Sequence, residues 1–147
     1  PSMVIMEPEQ AACIYQSALV GDRKTQTVKG DLNTIMAGLS CGEPSPVAWE
    51  ILRSWAHGYV VCPDYVAAQG IRILANPLGD DQPIIAGESG SVGIGLLSIL
   101  CREIECRQIK DAFGLNEDSR ILVINTEGDT DPVNYRRILW DGKYPLV

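Results

Sequence analysis

The sequence predicts an α/β fold, an open and mostly parallel sheet with helices on both faces. Three observations carry this expectation. Short apolar runs at Met3–Met6, Tyr59–Cys62, Ile84–Ala86 and Ile121–Ile124 have the length of buried strands. Segments with helical spacing separate them. Apolar residues make up 46% of the chain and aromatics 6%, so the core must be mainly aliphatic, as where helices pack on a parallel sheet.

The elements follow in order. Met3–Met6 is a strand that Glu7-Pro8 ends, with Pro8 suited to a first helical turn. Ala11, Ala12, Ile14, Tyr15 and Ala18 recur at helical spacing until Gly21 stops them. Residues 22–33 are polar and loop-like, and residues 34–42 are apolar but broken by glycine. Ser45 is placed to cap a helix whose first residue is Pro46, running to Ala56 with Gly58 as its stop. After Tyr59–Cys62, a helix from Pro63-Asp64 reaches Asn76-Pro77, and residues 78–83 form a turn-rich link. Ile84–Ala86 leads into the turn Gly87–Gly90, a long helix is expected over Val92–Cys106, and another over Ile109–Leu115. Ile121–Ile124 is the clearest strand; residues 126–131 are a polar turn, and Pro132 opens a last helix through Trp140.

Charge and cysteine usage narrow the function. A net charge of −7, with Arg136-Arg137 as the only adjacent arginine pair, argues against nucleic acid as a partner and for small-molecule chemistry. No apolar run approaches the roughly 20 residues that span a bilayer, so no membrane association is expected. Five cysteines without a C-x-x-C pair suit reduced thiols and a cytoplasmic setting; the alternative is a bridge between Cys13 and Cys41, which flank the polar loop. The chain opens directly on a strand, which suggests one piece, 1–147, of a larger domain.

Two corners carry the most chemistry. Gly87-Glu88-Ser89-Gly90 and Asn125-Thr126-Glu127-Gly128-Asp129 both follow strand-like runs and precede helices. In open parallel sheets ligands bind beyond the carboxyl ends of strands, where helix N-termini offer free N–H groups. The bland alternative is a pair of ordinary helix caps. Gly87, Gly90, Gly93 and Gly95 match neither a dinucleotide fingerprint nor a P-loop and fit close helix packing better. Gly87-Glu88-Ser89-Gly90-Ser91 lacks the last glycine of a nucleophile elbow, and the sole histidine, His57, precedes the serine; it belongs more naturally at a helix end. One histidine and dispersed cysteines give no metal cluster, and Asp129-Thr130-Asp131 reads as turn and cap acids. Trp49, Trp55 and Trp140 sit in helical patterns as core or interface anchors.

Several strings together then point to a family. Glu7-Pro8, Thr34-Ile35-Met36-Ala37-Gly38-Leu39-Ser40-Cys41-Gly42-Glu43-Pro44, Trp49-Glu50-Ile51-Leu52, Gly87-Glu88-Ser89-Gly90 and Thr126-Glu127-Gly128-Asp129-Thr130-Asp131 occur in that order. With Tyr135-Arg136-Arg137-Ile138 and Trp140-Asp141-Gly142, they resemble the C-terminal part of the diaminopropionate ammonia-lyases, across essentially the whole chain. The wider relatives are the tryptophan-synthase-like, fold-type-II pyridoxal-phosphate enzymes.

The resemblance implies the C-terminal part of a large domain that binds pyridoxal 5'-phosphate. It implies α,β-elimination of 2,3-diaminopropionate to pyruvate and ammonia, and a homodimer in the full-length enzyme. Glu88, Ser89, Asn125 and Thr126 are then expected near the cofactor, and Met36, Ala37 and Gly38 near the amino-acid substrate. The family pattern has serine before the Thr-Glu-Gly-Asp turn; this chain has Asn125, and either Asn125 or Thr126 is a candidate partner for the pyridine nitrogen. The lysine that attaches the cofactor follows an Asn-x-Phe-like motif in the family's N-terminal part. None of Lys24, Lys29, Lys110 or Lys143 lies in that context, so this chain alone is expected to be inactive. The alternative from another class is a non-catalytic α/β module that associates with a partner chain.

Overall fold

The fold is that of a computed structural model, which describes residues 1–146. They form two compact units, Pro1–Pro63 and the chain from Asp64 onward.

The first unit is built on a parallel pair. Strand β1 (Met3–Pro8) pairs with β2 (Ala56–Cys62) from Val4 opposite Gly58 to Pro8 opposite Cys62. A parallel pair needs a long crossover, supplied here by α1 (Cys13–Val20), the polar loop and α2 (Pro46–Trp55). Glu7 and Pro8 remain in the strand, so Pro8 ends β1 rather than opening a helix; a 3-10 turn, Glu9–Ala11, follows. Gly21, at φ 72, terminates α1 in the left-handed conformation that glycine adopts without a Cβ penalty.

The start of α1 has an unusual cap. No side chain at its own N-cap position serves it. Instead the nearly buried Glu7 carboxylate accepts N–H donations from Ile14 (2.9 Å) and Tyr15 (2.6 Å). A carboxylate there satisfies orphan donors and complements the helix dipole. Cys13 lies beside it, its thiol 3.7 Å from Glu7 Oε1.

The polar loop is tied down. Gln26 N–H donates to Ser17 Oγ (2.7 Å), Val28 N–H to the Gly42 carbonyl (2.8 Å), and Trp49 Nε1 to the Arg23 carbonyl (2.9 Å). Helix α2 begins as its sequence requires: Ser45 Oγ accepts from Ala48 N–H at 3.4 Å and Pro46 occupies the first turn. It ends at Trp55, however, and Gly58 lies inside β2, where extended backbone tolerates it. His57 also belongs to β2, not to a helix end; its Nδ1 accepts the Met3 N–H at 3.1 Å. Trp49 is core, whereas Trp55 and Trp140 are largely exposed, with the Arg136 guanidinium stacked over the Trp140 ring at 4.3 Å. All five cysteines are free thiols, Cys13 and Cys41 included.

The second unit rests on the approach of α3 (Asp64–Ala75) to α4 (Glu88–Arg102). The buried residues are mostly small or aliphatic, among them Val66, Ala67, Ala68, Gly70 and Ile71 of α3 and Gly90, Ser91, Val92, Gly93 and Gly95 of α4. A Cβ on Gly70 would overlap the Ser91 carbonyl, and one on Gly95 the Val66 carbonyl. Ser91 Oγ bridges the seam by donating to the Ala67 carbonyl at 2.9 Å. Of the glycines expected to serve close packing, Gly95 does so here.

A 3-10 turn, Ile104–Cys106, leads to α5 (Arg107–Ala112), and α6 spans Pro132–Trp140. The long helix thus starts four residues earlier than expected, at Glu88, and stops at Arg102, while α5 is shifted toward the N-terminus. Arg72 of α3 clasps the end of the unit. Its guanidinium donates to the carbonyls of Ile138 (3.2 Å), Tyr144 (3.1 Å) and Lys143, and burial lowers its pKa.

The two remaining strand expectations are corrected. Ile84–Ala86 and Ile121–Ile124 join no ladder; the sheet among the described residues has two strands, β1 and β2. Apolar runs encode burial, but a strand also needs a hydrogen-bonding neighbour. Ile84, Ile85, Ile121, Leu122 and Ile124 are all exposed. Among the described residues, no helix is long and apolar enough to cross a membrane.

Candidate functional site

The two polar corners of the second unit meet. Gly87 has extended backbone, and Glu88 begins α4. The first turn of an α-helix leaves N–H groups without partners inside the helix. Here the second corner provides them: Gly87 N–H donates to the Glu127 carbonyl (2.9 Å), and Ser89 N–H to Glu127 Oε2 (2.8 Å). The carboxylate therefore sits where the α4 dipole favours negative charge. Its other oxygen, Oε1, accepts from Thr130 Oγ1 at 3.3 Å.

Asn125 fastens the corners together from the other side. Its Nδ2 donates to the Ile85 carbonyl at 3.2 Å, and its Oδ1 accepts the Glu127 N–H at 3.2 Å. The approach is close enough to demand glycine. A Cβ on Gly87 would overlap the Gly128 carbonyl, and one on Gly90 would overlap Asn125 Oδ1.

Behind this edge lies Glu88, only 4% exposed. Asn134, in the first turn of α6, donates from Nδ2 to Glu88 Oε1 at 2.6 Å. The Asn134 Oδ1 accepts in turn from Lys143 Nζ at 3.2 Å. Asp131 caps α6 by accepting the Asn134 N–H at 3.0 Å, so the acids of the 129–131 turn include a true helix cap. Nearby Tyr135 has its phenol pKa raised, chiefly by burial and secondarily by the charge on Asp129.

Of the residues singled out in the sequence, Glu88, Ser89, Asn125 and Thr126 are thus gathered at one corner of the second unit. Met36, Ala37 and Gly38 belong to the first unit, where Met36 is fully buried and Ala37 and Gly38 are exposed on a 3-10 turn. Asn125 is committed at both ends of its amide. Thr126 is exposed, and its hydroxyl has no hydrogen-bond partner among the described residues. Neutral hydroxyl and amide groups are a donor set that suits an uncharged heteroaromatic nitrogen.

Sequence reasoning placed Glu127 in the second corner but did not foresee its service to the start of α4, and it missed Asn134. Asn134 carried no signal, since it is 46 positions from the carboxylate it holds.

The chain is 49% identical over 144 residues to diaminopropionate ammonia-lyase of Escherichia coli strain K12, covering 98% of this chain and 36% of that enzyme. It is 42% identical over 144 residues to the Salmonella typhimurium enzyme of the same name, again 36% of its length. The chain is a homologue of diaminopropionate ammonia-lyase. It superposes on the crystal structure of the E. coli diaminopropionate ammonia-lyase in complex with an aminoacrylate-PLP azomethine reaction intermediate with a TM-score of 0.88, at 44% identity, over 99% of this chain and 36% of that one. The chain therefore spans about a third of the length of the lyases it matches, as an α/β piece with a parallel sheet and helices. No family model matches it.

Proposed function

We propose that this chain is the C-terminal part of the large cofactor-binding domain of a pyridoxal-phosphate-dependent ammonia-lyase that converts 2,3-diaminopropionate to pyruvate and ammonia. The observation that carries the reading is the meeting of the two polar corners, in a chain 49% identical over nearly all its length to a diaminopropionate ammonia-lyase. When bound, the cofactor supplies the electron sink for loss of the α-proton and the β-amino group.

This chain contributes one rim of that site. The Thr126 hydroxyl donates to the pyridine nitrogen, because Asn125 is occupied in bracing the rim against Ile85 and Glu127. A neutral donor leaves that nitrogen unprotonated, unlike a carboxylate partner. Glu88 and Ser89 line the same edge from the first turn of α4, and Met36, Ala37 and Gly38 lie toward the amino-acid substrate. The lysine that attaches the cofactor comes from the rest of the enzyme, which acts in the cytoplasm as a homodimer.

The exposed Ile84, Ile85, Leu122 and Ile124 favour a second reading, a non-catalytic module that docks on a partner chain. One experiment separates the two. The chain is titrated with pyridoxal phosphate, alone and with the remaining two-thirds of the enzyme, while the cofactor–lysine absorbance band and ammonia release are followed. The lyase reading expects neither signal from the chain alone and both from the mixture. A mixture that associates yet stays spectrally silent and inactive favours the module.

A further inference from the structure

Glu88 differs from every other acid of the second unit in being almost wholly buried. A buried carboxylate is costly unless something donates to it. The donor is not a backbone group of its own helix but the carboxamide of Asn134, at 2.6 Å, from the first turn of α6. That carboxamide is itself oriented. Its oxygen takes a hydrogen bond from Lys143 Nζ, so its nitrogen must face Glu88, and its backbone N–H is held by Asp131. An amide fixed at its oxygen, nitrogen and backbone has no freedom to flip. The ammonium of Lys143 also polarises the amide toward stronger donation, with its charge kept outside the buried pocket.

We propose that Asn134, oriented by Lys143, is a positioning residue that fixes the Glu88 carboxylate at the cofactor rim, which makes the start of α6 part of the active-site support. The inference rests on the function proposed above and extends it to residues that touch neither cofactor nor substrate. A bond that merely joined α6 to α4 would serve folding alone. The arrangement does more, because displacing the amide would turn the one acid of the rim that is shielded from solvent. Misplacing a supporting group by about 1 Å costs on the order of 100-fold in rate where geometry governs the chemistry.

The test uses the full-length, cofactor-loaded enzyme and the variants N134A, N134D and K143M. N134D keeps the shape but removes the donor and sets a carboxylate against Glu88. The expected order of kcat loss is N134D, then N134A at roughly 10- to 100-fold, then K143M at a few-fold, with KM changed less than about twofold. The cofactor absorbance band is expected to shift in the first two. Variants that lower the melting temperature while leaving kcat and the band at wild-type values would overturn the proposal. A second readout does not depend on the cofactor. The Asn134 carboxamide resonances in a 1H–15N spectrum should be widely split and should collapse toward solvent values in E88A. Solvent-like resonances in the wild type overturn the inference, whatever the cofactor does. A wild-type enzyme with no cofactor band but a split carboxamide overturns the lyase reading while retaining the Glu88–Asn134 link.

Discussion

In the first unit, a parallel pair of strands and a carboxylate that receives two backbone N–H groups hold the chain by directed hydrogen bonds. In the second, two helices meet so closely that glycine is obligatory where they cross. Each unit buries an acid at the start of a helix, but by different means. Glu7 is saturated by the backbone of α1, whereas Glu88 depends on a side chain from α6. An acid held by backbone donors is fixed as soon as its helix forms; an acid held by a distant amide is fixed only when the tertiary structure closes.

The severest way to break this contrast is G95A. The added methyl would overlap the Val66 carbonyl, and because that atom is backbone, the helices must separate. A loss of about 3 kcal/mol or more is expected in denaturant titration of the second unit. A loss below about 1 kcal/mol would mean that the seam is loose. Next comes E7A in the first unit, which strips the acceptor from the Ile14 and Tyr15 N–H groups and should cost about 2–3 kcal/mol, with less helix by circular dichroism.

The thiols sharpen the same contrast through pH. Burial, aided by the neighbouring Glu7 charge, pushes the Cys13 thiol up to about 12 from an ordinary 9.0, and burial alone pushes Cys62 to about 12. Below pH 9 both groups are protonated, folded or unfolded. Between pH 9 and 12 the unfolded chain ionises first, so stability falls across that window. The melting temperature should decline there, and less steeply in C62A. At pH 8, alkylation should modify the exposed Cys41 and Cys101 well before Cys13 and Cys62. The smallest effects belong to the helix caps. D131A, losing a 3.0 Å bond, should cost about 1 kcal/mol, and S45A, losing one of 3.4 Å, about 0.5 kcal/mol.

What was legible in the sequence follows the range of the forces involved. The starts of α2 and α6 were readable from Ser45-Pro46 and Asp131-Pro132, because cap and proline act within one turn. The end of α1 was readable from Gly21 for the same reason. Ile121–Ile124 was misread as a formed strand, because its apolar run specifies a preference for burial and not the presence of a neighbour. At the candidate site, the two corners were legible from their positions after apolar runs, and the family resemblance singled out Glu88, Ser89, Asn125 and Thr126 within them. That Asn125 braces the two corners could not be read, since it depends on where the Ile85 carbonyl lies. Asn134 was invisible because nothing near it in the chain reveals its partner.

Arg72 leaves a last consequence for the tail of the molecule. It fastens residues 138, 143 and 144 through three peptide oxygens and no acid. Peptide oxygens take up no proton at the mild acidity that neutralises carboxylates, and they carry no net charge for added salt to screen. The tail should thus stay latched in acid and in brine alike, and trimming the chain before Lys143 would release it by taking away two of the three holds.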